Sequence, residues 1–390
     1  MPRPIDPASP RQRRAGLVMP TTRQRLVGVL LGSLLVSSAH GVTIRDNRSF
    51  NTQNAALLTN AGAPLQGLAD NLVAVGVGSG VYLGDGWVLS AAHFNPSTDG
   101  RTTVEFNSGF SSGADVFQNP DWTGDFTQGN DFALLQLDTA PTGLPEVALF
   151  GGDADDLDGQ TFTLTGYGAT GKGSSGTGQP GSETGTLHAG ENVFDQVGGS
   201  VFDSDDYVDQ VAFFDFDRPN SNLDNPLGTR FALTYESMIA SGDSGGGAFV
   251  VEDGTAKLAG VHSLLFSPSN RPTAGYGSVG AVTTVDGILA WIADVTNDAV
   301  VLTGDANLNG TVEQGDLNAV LNNWGQTGRA WSTGDLTADG LVDQADLNAV
   351  LNHWGASNAP SLVTPTALPE PALAGLLVLA GCAGLRRRAH

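Results

Sequence analysis

Three short segments carry a histidine, an aspartate and a serine in settings that suit nucleophilic catalysis. His93 follows the strand-like run 87–90 and two alanines, which places an imidazole at the end of a strand. Asp131 stands directly before the apolar run 132–137, where a carboxylate needs a partner. Ser244 lies among glycines, which allow the tight turn that exposes a side chain. Each residue alone has an ordinary structural explanation, but together they predict Ser244 as nucleophile, His93 as general base and Asp131 as the group that orients the imidazole.

The surroundings and order of these residues resemble the trypsin/chymotrypsin family of serine proteases. The run Leu-Ser-Ala-Ala-His ends at His93, and Ser244 stands in Gly-Asp-Ser-Gly-Gly. The order His, Asp, Ser is that of this family and differs from the order in subtilisins and α/β-hydrolases. The resemblance covers residues 70–293. It implies a mainly β fold, a trypsin-like double β-barrel, with the site between the barrels and endopeptidase activity on proteins or peptides.

The resemblance also implies roles for residues near the serine. The amide N–H groups of Gly242 and Ser244 correspond to the oxyanion hole. Met238 takes the position at the base of the specificity pocket, where an apolar side chain disfavours cleavage after Lys or Arg and favours an apolar or small residue. Ser263 corresponds to the substrate-binding strand.

One departure from the family concerns Asp243. Many members mature by exposing an Ile-Val-Gly-Gly start whose amine pairs with the aspartate beside the nucleophile, and no such start is present here. Two partners for Asp243 stay open: a new amine at Val42, or an internal cation such as Arg230.

Composition and pattern favour a β protein for the central region. The 53 glycines suit many tight turns, and short apolar runs predict strands within 73–77, 81–83, 87–89, 132–137, 162–164, 248–251 and 258–261. Helical spacing of apolar residues predicts one helix over 286–295. The Gly/Ser-rich stretch 166–185 is predicted as a solvated surface loop.

The charge argues against a nucleic-acid-binding protein, and the cysteine content argues against a disulfide-stabilised fold. The formal net charge is −23, with 18 Lys and Arg against 41 Asp and Glu, so the surface would repel nucleic acid. Because the sequence holds 1 cysteine, Cys382, no intrachain disulfide is expected and packing or metal must supply the stability.

A duplicated acidic loop follows the central region. Gly304-Asp-Ala-Asn-Leu-Asn-Gly returns at Gly334 as Gly-Asp-Leu-Thr-Ala-Asp-Gly, and each copy continues into Asp-Leu-Asn-Ala-Val-Leu-Asn with helical spacing. Positions one, three, five, seven and twelve match the ligand pattern of a calcium loop, in which the seventh residue contributes its carbonyl. The predicted ligands are Asp305, Asn307, Asn309, Thr311 and Asp316 in the first loop, and Asp335, Thr337, Asp339, Leu341 and Asp346 in the second.

The terminal aspartates of these loops resemble dockerin modules, so we expect a small α-helical dockerin-like domain with EF-hand-like loops and two Ca²⁺ ions. The second site is expected to be weaker because Thr337 is a poorer ligand than asparagine. The resemblance implies a cohesin-like partner. The alternative is a calcium-stiffened spacer that binds no partner.

Both ends of the chain predict export. Arg23 and Arg25 precede the apolar run 26–36 and small residues, which together predict a signal peptide cut after Gly41. At the other end, Pro-Glu-Pro at 369–371, an apolar stretch and three arginines resemble the PEP-CTERM sorting tail, which implies a sortase-like processing enzyme. The apolar stretch 372–385 would span about 21 Å as a helix, short of the ~30 Å bilayer core, so we expect transient anchoring; a permanent anchor is the alternative.

These patterns predict an exported, extracellular or cell-surface calcium-containing serine endopeptidase. The predicted segments are a signal peptide (1–41), a protease domain (42–296), a linker (297–302), a dockerin-like domain (303–355), a second linker (356–368) and a sorting segment (369–390). Two alternatives remain: a catalytically silent protease fold that serves as a scaffold, and a dockerin-borne component of a polysaccharide-degrading assembly.

Overall fold

The structure is a computed structural model, and it describes residues 41–94, 100–177, 185–201, 205–221, 224–228 and 230–358. These residues divide into two compact units, the first formed by 41–150 and 154–285 and the second by 151–153 and 286–358. The predicted signal peptide up to residue 40 and the predicted sorting segment lie outside the described residues. Within the described ranges, no helix is both long and apolar enough to cross a bilayer.

The first unit consists mainly of short strands, which confirms the prediction of a mainly β fold. In chain order they are β1 (Thr43–Ile44), β2 (Leu72–Val75), β3 (Gly78–Gly84), β4 (Trp87–Ser90), β5 (Arg101–Phe106), β6 (Ser111–Gln118), β7 (Ala133–Leu137), β8 (Ala148–Leu149), β9 (Thr161–Gly166), β10 (Gly171–Lys172), β11 (Gly176–Thr177), β12 (His188–Val193), β13 (Gln196–Val201), β14 (Asp205–Asp215), β15 (Ser237–Met238), β16 (Gly247–Glu252), β17 (Thr255–Phe266) and β18 (Val279–Thr284). One short helix, α1 (Phe50–Asn54), precedes the strands of the first barrel.

Strands β2 to β7 close into a barrel in the order β2-β3-β4-β7-β6-β5. Alternate side chains point inward because successive residues of a strand face opposite sides of the sheet. The inner side chains form one buried cluster: Val73, Val75, Tyr82, Val88, Val104, Phe106, Ala114, Ala133, Leu135 and Leu137. The barrel therefore gives β4 and β7, the strands next to His93 and Asp131, a rigid support.

The second sheet has the order β12-β9-β16-β17-β18-β14-β13, with β8 paired to β17. Its backbone pairing does not close into a ring within the described residues, so the predicted second barrel is an open sheet in this structure. A side chain connects the edge strand β12 to β14 of the same sheet and to β15. The Nδ2 atom of Asn192 on β12 donates to the carbonyl oxygens of Asp215 at 2.7 Å and Ser237 at 2.8 Å.

A small third sheet, in the order β11-β10-β1-β15, contains part of the stretch predicted as a solvated loop. Residues 171–177 form a hairpin whose first strand pairs in parallel with β1. The prediction of a surface loop over 166–185 is therefore wrong up to residue 177, because glycines there permit tight packing as readily as flexibility. Residues 178–184 lie outside the described residues.

The second unit contains three helices: α2 (Leu289–Thr296), α3 (Gln314–Asn322) and α4 (Gln344–Asn352). The helix predicted over 286–295 is α2. It belongs to the second unit, together with the duplicated loops. The two copies contact each other reciprocally. A Cβ atom on Gly304 would lie 2.7 Å from the carbonyl oxygen of Ala349 on α4, and one on Gly334 would lie 2.8 Å from the Cα atom of Val320 on α3. Each loop thus begins in a space that only glycine fits, against the helix of the other copy.

We expect Asn192→Ala to destabilise the first unit by about 3 kcal/mol, because two buried carbonyl groups would lose their donor. Urea unfolding followed by fluorescence measures this change. The exposed Asn51→Ala on α1 is the matched control and should shift the free energy of unfolding by less than about 0.5 kcal/mol. Equal effects of the two substitutions would show that the buried amide does not stabilise the contact of β12 with β14 and β15.

Candidate active site

His93 and Asp131 meet because their strands are paired. In the β4–β7 pairing, Ser90 lies opposite Ala133, so the residues after β4 and those before β7 run side by side. The main-chain N–H of His93 donates to Oδ1 of Asp131 at 2.8 Å, and the ring nitrogen Nδ1 lies 2.7 Å from Oδ2. This double contact fixes the imidazole, leaving its Nε2 atom to face away from the carboxylate.

Ser244 lies in a turn that contacts the first barrel and the second sheet. The main-chain N–H of Ser79, on β3, donates to the carbonyl oxygen of Ser244 at 2.8 Å, and the N–H of Gly245 donates to that of His262, on β17. Gly245 has φ +82, and a Cβ atom there would lie 2.2 Å from the hydroxyl oxygen of Ser90. A glycine is therefore required to bring the serine this close to the first barrel.

The three predicted catalytic residues form one hydrogen-bonded chain. The Oγ atom of Ser244 lies 2.9 Å from Nε2 of His93, whose Nδ1 contacts Asp131. The Asp131 side chain is 1% exposed and that of His93 is 21% exposed. An imidazole that is open to substrate on one side and held by a buried carboxylate on the other can move a proton from the serine hydroxyl.

The structure adds a partner for Asp131 that the sequence did not reveal. The hydroxyl of Ser263 donates to Oδ2 of Asp131. The β17–β18 pairing shifts register between His262 and Leu264, so Ser263 sits at an irregularity that turns its side chain. Ser263 had been assigned only to the substrate-binding strand, and no local sequence pattern indicates a contact with an aspartate so distant in the chain.

The residues predicted for the oxyanion hole lie in the same turn. Gly242 has φ +95. The N–H of Gly246 donates to the carbonyl oxygen of Asp243, which closes a tight turn around Ser244. Within the described part of the chain, the N–H groups of Gly242 and Ser244 take no hydrogen-bond partner. They are therefore available to a ligand oxygen beside the serine.

Met238, predicted at the base of the specificity pocket, is fully buried in β15 and pairs with Thr43 of β1. The hydroxyl of Thr43 donates to its carbonyl oxygen at 3.3 Å. Its contact with substrate stays a prediction.

Of the two candidate partners for Asp243, the structure brings Val42 close. The main-chain nitrogen of Val42 lies 3.0 Å from Oδ2 of Asp243, which also accepts from the N–H of Ala240 at 2.7 Å. Arg230 is exposed, whereas Asp243 is fully buried. Burial raises the pKa of Asp243 to about 7, against the lowering effect of the N–H donors Ala240, Gly168 and Val42. A positive charge on the Val42 nitrogen would favour the ionised carboxylate.

Aromatic side chains flank the histidine. The rings of Phe94 and Phe126 lie edge-on to the imidazole, with centroids 5.7 Å and 5.5 Å away, and Trp122 lies 5.1 Å from Phe126. None of these was singled out from the sequence, because the contact depends on how the loop before Asp131 folds. They shield one side of the imidazole from water.

The first acidic loop adopts a compact turn around its predicted ligands. Asp305 accepts from the N–H groups of Asn309 and Gly310, and Asn309 accepts from Thr311. Asp316 caps α3 by accepting from Glu313 at 2.8 Å. Both aspartates are buried, and burial raises the pKa of Asp305, with the charge of Asp316 adding to this increase.

The second loop repeats this geometry. Asp335 accepts from Asp339 and Gly340, as Asp305 does from its own loop, and Asp346 accepts from Asp343. The hydroxyl of Thr337 donates to Asp346 at 3.1 Å. Burial raises the pKa of Asp335 too. Leu341, the predicted seventh ligand, is exposed at 36%.

The donor set of both loops fits a calcium ion in type. The ligands are oxygens, and burial together with the charge of a neighbouring carboxylate raises the pKa of Asp305 and of Asp335, a situation that a cation would relieve. Across the described residues, no three His, Cys, Asp or Glu side chains are arranged as a metal site. Calcium binding would therefore depend on the asparagine, threonine and main-chain oxygens as well.

Comparison with known proteins agrees with this geometry. The family model described as trypsin matches residues 67–292, which is more than half of the chain. No curated protein matches the sequence. The matched region contains the hydrogen-bonded His93, Asp131 and Ser244 and the strands that support them, and the chain belongs to the trypsin family of serine proteases.

Proposed function

We propose that this chain is an exported serine endopeptidase in which Ser244, His93 and Asp131 are the catalytic residues. The observation that carries the proposal is the continuous chain of contacts from the Ser244 hydroxyl through the imidazole to the buried carboxylate, at 2.9 Å and 2.7 Å. This chain of contacts supports the catalytic proposal over the alternative of a silent scaffold, which the labelling experiment below tests.

In the proposed reaction, Oγ of Ser244 attacks the carbonyl carbon of the peptide bond while Nε2 of His93 takes its proton. The carbonyl oxygen becomes an oxyanion beside the N–H groups of Gly242 and Ser244, an interaction whose loss typically costs ~10²–10³ in rate. The imidazolium then gives its proton to the leaving amine, and the C–N bond breaks to leave an acyl-enzyme. Water, deprotonated by the same imidazole, then attacks the ester carbon. The bond from that carbon to Oγ of Ser244 breaks, Oγ takes the proton back from the imidazolium, and the acid product leaves.

Asp131 contributes by holding one tautomer of His93. Its buried carboxylate accepts from the ring, from the main-chain N–H of His93 and from the Ser263 hydroxyl. These donors keep the charge in place, so that it stabilises the imidazolium as it forms. Substrate selection by Met238 and Ser263 is part of the proposal, with a preference for apolar or small residues.

Activation is proposed to follow export. A cut after Gly41 would turn the Val42 nitrogen into an α-amine beside Asp243. The carboxylate and amine would then form an ion pair next to the nucleophile, and the turn that holds Ser244 would be fixed in its active form. This proposal is supported by the 3.0 Å separation of the two atoms.

The second unit is proposed to bind two calcium ions through Asp305, Asn307, Asn309, Thr311 and Asp316, and through Asp335, Thr337, Asp339, Leu341 and Asp346. When bound, calcium supplies positive charge that holds the buried carboxylates together. We further propose that the module is dockerin-like, that the tail after it directs sorting at the cell surface, and that cohesin-like and sortase-like proteins are the partners.

Labelling with a fluorophosphonate tests the catalytic proposal. The fragment Val42–Pro360 should label, and its Ser244→Ala variant should not, because the probe reacts with an activated serine hydroxyl. An exposed-serine variant, Ser111→Ala on β6, is the matched control and should label as the parent does. Folded parent protein that fails to label would support the silent scaffold.

Protein sequencing of the exported chain tests the activation proposal. We expect the mature protein to begin at Val42, and Asp243→Asn to reduce labelling by at least ~10-fold, because one ion pair next to the turn would be lost. The exposed Asp253→Asn is the control. A chain that begins elsewhere and still labels fully would contradict the proposal.

Calcium titration of the full chain tests the loops. Asp305→Ala should abolish the tighter of two binding events, and Asp335→Ala the weaker one, measured by calorimetry. The exposed Asp294→Asn on α2, outside both loops, should leave both events unchanged. One binding event in the parent protein, or none, would contradict a two-site module.

A further inference from the structure

Four acidic residues of the first unit, none of them among the proposed catalytic residues, lie close enough for their charges to act on one another. Asp195 follows β12, Asp215 ends β14, Asp217 lies two residues further on, and Glu236 precedes β15. Asp215 and Asp217 are 2% and 4% exposed, and Glu236 is 3% exposed. We refer to these four residues as the carboxyl cluster.

Main-chain N–H groups hold the carboxyl cluster in place. Asp195 accepts from the N–H of Asp215 at 3.1 Å, and Asp215 accepts from that of Leu227 at 2.7 Å. Glu236 accepts from the N–H of Asp217 at 2.6 Å and from that of Leu233. The Oδ1 atom of Asp217 is buried and has no hydrogen-bond partner among the described residues. A proton shared between this oxygen and a neighbouring carboxyl group would give Oδ1 of Asp217 the hydrogen bond that it lacks.

Two arginines, Arg218 and Arg271, pair with an acid outside the carboxyl cluster. Arg218, the neighbour of Asp217, pairs with Asp224 at 2.5 Å and stacks on Tyr276. Arg271 pairs with the same Asp224.

Two further arginines approach from the segment after β1. Arg45 lowers the pKa of Glu236 while donating to the carbonyl of Leu233, and Arg48 lies over the ring of Tyr235. Glu191, on β12, adds another acid beside Glu236 through a bridge between their main chains. Among the main influences on the pKa values of Asp215, Asp217 and Glu236, the one positive charge is that of Arg45, which acts on Glu236.

Burial is the main influence on the protonation of these acids. It raises the pKa of Asp215 to about 9, that of Glu236 to about 8 and that of Asp217 to about 7, and the neighbouring acids add to each increase. A carboxyl group whose pKa is higher in the folded state binds more protons when folded. Its stabilising effect is complete below the unfolded value, near pH 4, and is lost as the pH rises through the folded value.

The carboxyl cluster connects to the strand that leads to the nucleophile. Glu236 is followed by β15, which pairs with β1 directly after Val42. The side chain of Asn192 joins the carbonyl of Asp215 to that of Ser237 on β15. Buried negative charges that repel one another would therefore act on the chain segment that ends in the turn at Ser244.

We propose that Asp195, Asp215, Asp217 and Glu236 share protons as a buried switch that holds β15 in place at acidic and neutral pH and releases it at alkaline pH. The effect on turnover rests on the proposed protease activity. The effect on stability does not, since it depends only on the folded first unit.

The test is the pH dependence of unfolding of the full chain carrying Ser244→Ala, which prevents self-digestion, in excess EDTA. Between about pH 4 and about pH 9 the free energy of unfolding should fall as the pH rises, because unfolding releases the shared protons. Adding Asp217→Asn should reduce the slope by about one proton, since the amide can donate to the neighbouring carboxylate without titrating.

The matched control is Asp209→Asn, an exposed acid on β14, which should leave the slope unchanged. If Asp217→Asn prevents folding, hydrogen-ion titration of the folded and the urea-unfolded parent counts the retained protons without it. Equal slopes with and without Asp217→Asn, or no retained protons near neutral pH, would overturn the proposal.

Two further arms separate the remaining explanations. In the first arm, millimolar calcium is added at alkaline pH. If calcium stabilises the parent protein and does not stabilise the Asp217→Asn variant, the carboxyl cluster binds a cation, and that result would overturn proton sharing. With Ser244 restored, fluorophosphonate labelling of Asp217→Asn should persist to higher pH than that of the parent. If neither protein labels at any pH, the proposed catalytic function fails while the stability measurement still decides the switch.

Discussion

The geometry of the candidate active site depends on keeping one negative charge, that of Asp131, out of contact with water. A buried carboxylate is costly unless donors surround it. Here the donors come from the end of β4, where His93 contributes both its main chain and its ring, and from β17, where Ser263 contributes its hydroxyl. The carboxylate therefore connects the barrel of the first unit to its second sheet. The rest of the site depends on this connection. His93 follows a strand of the barrel and Ser244 precedes a strand of the second sheet, so the two residues face each other only when barrel and sheet are held together.

The other buried acids of the first unit are held in different ways. Asp243 is surrounded by main-chain N–H groups, including that of Val42, and would gain a full counter-charge if that nitrogen became an amine. The carboxyl cluster has main-chain donors and little positive charge. In an acidic chain with 18 basic residues, protons and peptide N–H groups take over much of the role that arginine and lysine usually play.

Much of this arrangement could be predicted from the sequence because its information is local. His93, Asp131 and Ser244 each stand in a short run of typical composition, and the acidic loops repeat the same positions twice. The contact of Ser263 with Asp131 could not be predicted, because it depends on an irregularity in the β17–β18 pairing. The carboxyl cluster combines residues from four separate segments, and no spacing rule connects them. Residues 171–177 were misassigned because glycine and serine occur both in flexible loops and in closely packed hairpins.

The reciprocal packing of Gly304 and Gly334 makes the duplicated region indivisible. The glycine at the start of each loop packs against the helix of the other copy, so one copy by itself would lack this packing contact. A deletion inside either copy would remove support from both. The region can therefore be transferred between genes or lost only as a pair, and the smallest piece that inheritance can preserve is the whole duplication.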